Sequence, residues 1–148
     1  MSEHTAVIRW RNSSAAMDYD TYPREHQWEF EGGPVVPASA AAAYNGRPGC
    51  VDPEEGLVAA AAGCHMLTFL AVAARKKLVV VSYEDLAVGH LENDAEGRLA
   101  VTRIELRPAV QFAPGTSVSA DDLRKLHDAA HRNCFIANSI KAAVTVAH

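Results

Sequence analysis

Strand, strand, loop, helix, strand, strand, helix, strand is the order in which the residues group themselves, and an α+β domain with sheets and helices in separate layers is the expected fold. Three observations point to it. Alternating, β-rich stretches stand at both ends of the chain, Asp52-Pro53-Glu54-Glu55 opens a long apolar helical stretch, and Asn93-Asp94-Ala95-Glu96-Gly97 joins two long strand-like segments as a hairpin turn. The 148 residues suit one domain, 1–148, able to bury roughly two thirds of its unfolded surface.

The elements follow in order. Thr5 to Asn12 alternates and is rich in β-formers, so it is expected to be a first strand, followed by a polar stretch from Ser13 to Arg24. His26-Gln27-Trp28-Glu29-Phe30-Glu31 alternates strictly and ends at Gly32-Gly33, a second strand closed by a turn. Pro34 to Val51 carries prolines and glycines among alanines and is expected to be an irregular, functional loop. Asp52 can then cap a helix, Pro53 suits its first position, and the two glutamates favour the positive end of its dipole. The helix is expected to run to about Lys76, roughly 36 Å. Its middle is apolar on nearly every side, which implies a helix surrounded by protein. Leu78 to Glu92 and Arg98 to Phe112 are expected to be long strands. Ser119, with Asp122 three positions on, caps a second helix through Leu123, Leu126 and Ala130 to about Asn133, and Ala142 to His148 closes the chain as a strand.

Composition narrows the class of function. Hydrophobic residues are 49% and charged residues 22%, the net charge is −4, and acidic and basic residues are interspersed. Without a basic tract or an aromatic-basic ladder, nucleic acid is not the expected partner. The N-terminus has neither an apolar signal core nor an Arg-rich transit segment, and three irregularly spaced cysteines do not make a secreted disulfide framework, so a cytoplasmic location is expected. Gly56 to Ala74 approaches the length of a membrane span. It is Ala-rich and includes Cys64, His65 and Thr68, which favours a buried helix over a membrane one.

Two cysteines carry the chemical signal. Cys64 lies ten residues after Glu54 in the long helix, and Cys134 sits in His131-Arg132-Asn133-Cys134-Phe135-Ile136-Ala137-Asn138-Ser139. The pattern P-E-E-x-L-x-A-A-x-A-x-C-H, with the later A-H-x-x-C-x-x-x-N-S, resembles the OsmC/Ohr family, the osmotically inducible protein C and organic hydroperoxide resistance proteins. The resemblance covers nearly the whole chain and implies a thiol peroxidase that reduces organic hydroperoxides in oxidative stress. Cys64 is then the peroxidatic nucleophile and Cys134 the resolving thiol that condenses with its sulfenic acid. An external dithiol reductant, in the family often a lipoylated protein, is expected to regenerate the enzyme, with no metal or organic cofactor. The segment Val35 to Ala40 and the Cys64-His65-Met66 triplet resemble a distinct OsmC-like branch.

A thiol peroxidase needs a thiolate, and a free thiol with pKa about 8.5 is only a few per cent ionised at neutral pH. The helix dipole fades within one turn and Cys64 lies about three turns in, so an arginine from elsewhere is the expected agent. In the family an arginine between the first two strands has that task, held by the glutamate that opens the long helix. Glu54 matches that glutamate, and Arg24, in Tyr22-Pro23-Arg24-Glu25-His26, is the candidate arginine, with Arg47 as the alternative. Ten helical residues separate Glu54 from Cys64 by about 15 Å with directions about 80° apart, so an arginine held by Glu54 is not expected to reach Cys64 of the same helix. Two antiparallel copies of the helix solve this. The family is built as an intertwined homodimer, and the two arguments converge on antiparallel sheets around a long buried central helix.

Rival readings start from the same residues. Cys64 and Cys134 are also what two small buried hydrophobes look like, and Cys50 matches no motif. His127, His131 and Cys134 could present ligands on one face with Cys64 as a fourth, but no CxxC or HExxH signature accompanies them. Trp28, Phe30, Tyr44, Phe69 and Phe135 could line an apolar pocket or could be core. A dimer holding an apolar ligand, and a metal-binding or redox-sensing protein, are therefore the alternatives to a peroxidase.

Overall fold

A computed structural model describes residues 1–147 and divides the chain into two compact units, Met1–Gly56 and a second that begins at Leu57. The first unit is a three-stranded antiparallel sheet in the order β1-β2-β3, from β1 (Ala6–Arg9), β2 (His26–Phe30) and β3 (Val35–Ala38). The register pairs Ala6 with Phe30 and Arg9 with Gln27, then His26 with Ala38 and Glu29 with Val35. The turn between β2 and β3 needs its two glycines, because Gly32 and Gly33 take φ of +87° and +102°.

β3 and a short 3-10 turn, Ala42–Tyr44, lie inside the segment expected to be irregular. Pro37 explains the miss. A proline cannot donate to a ladder and argues against a strand, yet it is tolerated at a sheet edge, which is where β3 lies.

α1 (Pro53–Arg75) starts where expected. The Glu55 amide donates to Asp52 Oδ1 at 2.7 Å while the Asp52 amide donates to Glu55 Oε2 at 3.1 Å, a reciprocal capping box. Beside this start, a Cβ on Gly56 would lie 2.6 Å from the Trp28 ring, so only glycine allows the helix so close.

The second unit carries the two long segments as a hairpin that breaks midway. β4 (Val80–Asp85) pairs with β7 (Pro108–Phe112), and β5 (Val88–Asn93) pairs with β6 (Leu99–Leu106), all antiparallel. The break falls at Leu86-Ala87 on one arm and at Arg107-Pro108 on the other, where Pro108 has no amide to give and Asp85 Oδ1 accepts the Arg107 amide at 2.7 Å. Two expected strands are thus four, in two sheets. β8 (Ala143–Val146) joins β6 in parallel, Arg103 opposite Ala143. His148, expected to end this strand, lies outside the described residues.

α2 (Ala120–Arg132) is capped as expected, with Ser119 Oγ accepting the Asp122 amide at 3.1 Å. Two apolar clusters fill this unit. One gathers Ala61, Ile104, Leu106 and Ala142, and the other Phe69, Ala73, Leu126 and Ala130. Along α1 the buried residues are Ala61, His65, Phe69 and Ala73, every fourth position and therefore one stripe. The helix expected to be wrapped on all sides has only 22% of its most apolar stretch buried by its own chain, and Ala59, Ala60, Leu67, Ala71 and Ala74 are exposed.

Candidate active site

The two motif cysteines meet. Cys64 projects from the middle of α1 and is half-buried, whereas Cys134, two residues past the end of α2, is 1% exposed. Both are free thiols. Burial pushes the Cys134 thiol up, opposed by the Ala137 amide, which donates to its sulfur at 3.5 Å. The neighbouring Cys64, to which Cys134 hydrogen-bonds, pushes it up further. Cys134 is therefore held as the protonated partner. The local chain explains its position: α2 ends at Arg132, Asn133 Nδ2 donates back to the Ala129 carbonyl at 2.8 Å, and the Asn138 amide returns to the Cys134 carbonyl at 3.0 Å.

Beside the thiols lies a buried imidazole pair that the sequence does not bring together: there His127 is a candidate metal ligand with His131 and Cys134, and His65 is only part of the long helix. His65, with no exposed surface, places Nε2 3.0 Å from Nδ1 of His127, which is 2% exposed. The rings are nearly parallel, and Phe69 stacks on His127 at 4.5 Å between centroids. Burial first, then the charges of His127 and His131, lower the His65 pKa from 6.5 to about 4, so the imidazole is neutral at physiological pH. Nδ1 of His65 and Nδ1 of His131 are buried without a hydrogen-bond partner. His65 and His127 direct nitrogens at each other, and among the described residues no three His, Cys, Asp or Glu side chains are arranged to hold a metal ion.

Arg24 and Glu54 belong to the first unit. The Arg24 guanidinium donates to the Tyr22 carbonyl at 2.6 Å and to the Tyr19 carbonyl, and it lies 3.7 Å over the Tyr22 ring. Its loop is tied down from both sides: Trp10 Nε1 donates to the Pro23 carbonyl at 2.7 Å, and His26 Nδ1 lies 2.9 Å from the Arg24 carbonyl. Glu54 is half-buried in the first turn of α1, and among the described residues it forms no ion pair with Arg24 or with any other cation. Arg47, the alternative arginine, lies 3.7 Å from Glu25. Ile8, Trp10, Met17, Tyr22 and Pro23 line an open, mostly apolar pocket of about 480 Å³ that includes Arg24.

The other aromatic candidates divide. Phe69 is fully buried core, Trp28 packs on Gly56, and Tyr44 and Phe135 are 43% and 79% exposed. The alternation of His26 to Glu31 places Trp28 in a strand, as observed, but nothing in the local sequence pairs His65 with a histidine 62 positions away.

Comparison with known proteins agrees with this architecture. Residues 46–148 match the family of OsmC-like proteins. An OsmC-like protein of unknown function from Vibrio cholerae O1 biovar eltor is 42% identical, with 99% of each chain covered and a TM-score of 0.94. An organic hydroperoxide resistance protein from Elizabethkingia anophelis superposes at a TM-score of 0.74 over 100% of this chain and 97% of its own, at 15% identity. An OsmC-like protein from Mycoplasma pneumoniae does so at 0.75 over 99% and 95%, at 14% identity. The last two, at such identities, show the fold alone. No curated protein matches the sequence. The matched family region holds both cysteines and Glu54, and the fold and the 42% identical relative agree with it: the chain belongs to the OsmC/Ohr family.

Proposed function

We propose that this protein is a thiol-dependent peroxidase that reduces organic hydroperoxides. The observation that carries the reading is the contact between a solvent-reached Cys64 and a buried, protonated Cys134. The Cys64 thiolate attacks the distal oxygen of ROOH. The O–O bond breaks, the leaving alkoxide takes a proton and departs as ROH, and Cys64 becomes a sulfenic acid. The Cys134 sulfur then attacks the Cys64 sulfur, the S–O bond breaks, the thiol proton leaves with the hydroxide as water, and a disulfide forms. An external dithiol, of which a lipoylated protein is one form, reduces it by thiol–disulfide exchange. Names such as organic hydroperoxide resistance protein among relatives of the same fold support an organic substrate.

Arg24 is assigned the task of activating Cys64 and stabilising the leaving oxygen, and Glu54 that of orienting Arg24. Both assignments rest on the family pattern. The exposed face of α1 supports a homodimer in which a second copy covers Ala59, Ala60, Leu67 and Ala71. A cytoplasmic protein with no resident cofactor completes the proposal.

The test is free-thiol count and intact mass after one equivalent of cumene hydroperoxide, against the same dose of hydrogen peroxide. Rapid loss of two thiols with a Cys64–Cys134 disulfide, faster with the organic peroxide, is the expected result. Slow, unselective loss of all three thiols overturns it. That outcome favours the second reading, a dimer that holds an apolar ligand, for which the pocket of Ile8, Trp10 and Met17 is the supporting observation.

A further inference from the structure

Burying two imidazoles, one of them stacked on Phe69 of the second apolar cluster, is not what stability alone would select, because apolar side chains of similar volume pack such a core at least as well. The His65 ring even keeps Nδ1 without a partner. What a buried polar pair supplies is register. Alanine and leucine contacts between helices tolerate a slide, whereas a hydrogen bond between two ring nitrogens is satisfied in one alignment only.

The sequence positions make that alignment matter for the thiols. Cys64 directly precedes His65 in α1, and Cys134 follows His127 by seven residues, just beyond α2. A slip of one residue moves a helix by about 1.5 Å and turns it by about 100°. A disulfide requires Cα atoms within about 7 Å and Cβ vectors that face each other. The stack of Phe69 on His127 holds the second ring from one turn further along α1.

We propose that His65 and His127 are positioning residues for the Cys64–Cys134 pair: their hydrogen bond sets the register of α1 against α2 and with it the approach of the two sulfurs. The inference rests on the reading that these cysteines form a disulfide, and not on peroxide being the oxidant.

Equilibration of the purified protein in glutathione redox buffers, with the Cys64–Cys134 disulfide measured by alkylation and mass spectrometry, tests it. His65→Leu and His127→Leu each lower the equilibrium constant for the disulfide at least tenfold, an upward move of about 30 mV in potential. Each single variant removes one end of the hydrogen bond and keeps the other imidazole, so the double variant His65→Leu/His127→Leu, which removes both rings, is the decisive one. Its stability recovers while its thiol equilibrium stays displaced. Ile104→Val, in the other cluster, loses stability and keeps the wild-type equilibrium. After a limiting dose of peroxide, dimedone labels more of the Cys64 sulfenic acid in the three histidine variants, where Cys134 no longer competes well for it, and no more than in wild type in Ile104→Val. A double variant with the wild-type disulfide equilibrium overturns the positioning role alone. A wild type that forms no Cys64–Cys134 disulfide at any glutathione ratio overturns the two-cysteine reading and this inference with it.

Discussion

Exposure separates the roles of the two sulfurs before any chemistry is invoked: hydroperoxide can reach half-buried Cys64, and Cys134 can be reached only by its neighbour. Cys64→Ser is therefore expected to reduce organic-peroxide consumption, followed with a ferrous-xylenol assay, to the uncatalysed background. Cys134→Ser is expected to complete one oxidation and stop at a sulfenic acid that dimedone labels. Because burial and Cys64 hold the Cys134 thiol protonated, the disulfide-closing step should accelerate as pH rises above neutrality, which stopped-flow fluorescence can follow. His65 gives a pH dependence of stability. Its folded pKa, about 4, lies below the 6.5 of the unfolded chain, so between those values the unfolded state binds more protons. Stability from this group is complete above pH 6.5 and is lost as pH falls towards 4. At about 1.4 kcal/mol per pH unit the loss is up to about 3 kcal/mol. Urea midpoints at pH 7.5 and pH 5 check it, and His65→Leu should flatten the difference.

The elements owe their ends to short-range chemistry. Asp52 and Glu55 exchange hydrogen bonds across the first turn of α1, and Asp52→Ala should cost about 1 kcal/mol by chemical denaturation. Gly56→Ala should cost more than that, because its Cβ meets the Trp28 ring at 2.6 Å and a packed ring moves only with strain of about 1–3 kcal/mol. These starts were legible in Asp52-Pro53-Glu54-Glu55 and Ser119-Ala120-Asp121-Asp122, since a cap is a contact between residues three apart. β3 was not. Its Pro37 reads as a breaker unless the strand is known to lie at a sheet edge, and an edge is a property of the sheet. The breaks at Leu86-Ala87 and Arg107-Pro108 were missed for the same reason: Pro108 marks one arm, but only the pairing of β4 with β7 and of β5 with β6 shows that both arms break together.

For the whole molecule, the surface of α1 is the dominant fact. A helix of 23 residues, apolar along its length, has only 22% of its most apolar stretch buried by its own chain, and such a face favours a partner layer. A second copy supplies it in the proposed homodimer. Leu67, 65% exposed and one turn from Cys64, stands on that surface. Leu67→Glu should shift the mass measured by light scattering from twice the chain mass to the chain mass, with the far-ultraviolet circular dichroism unchanged. A wild-type protein already at the chain mass would remove the homodimer.

Residue types and their spacing were enough to establish an α+β fold, both helix caps, the Asn93–Gly97 turn, the family and the two cysteines worth testing, because each of these is written in neighbouring residues or in a family motif. The meeting of Cys64 with Cys134, the His65–His127 bond, the edge strand β3 and the parallel pairing of β8 with β6 were decided by the tertiary structure. Each joins residues far apart in the chain or depends on which neighbour a strand finds, and such pairings are selected by packing of the whole core, for which no local pattern of residues is a sufficient cause.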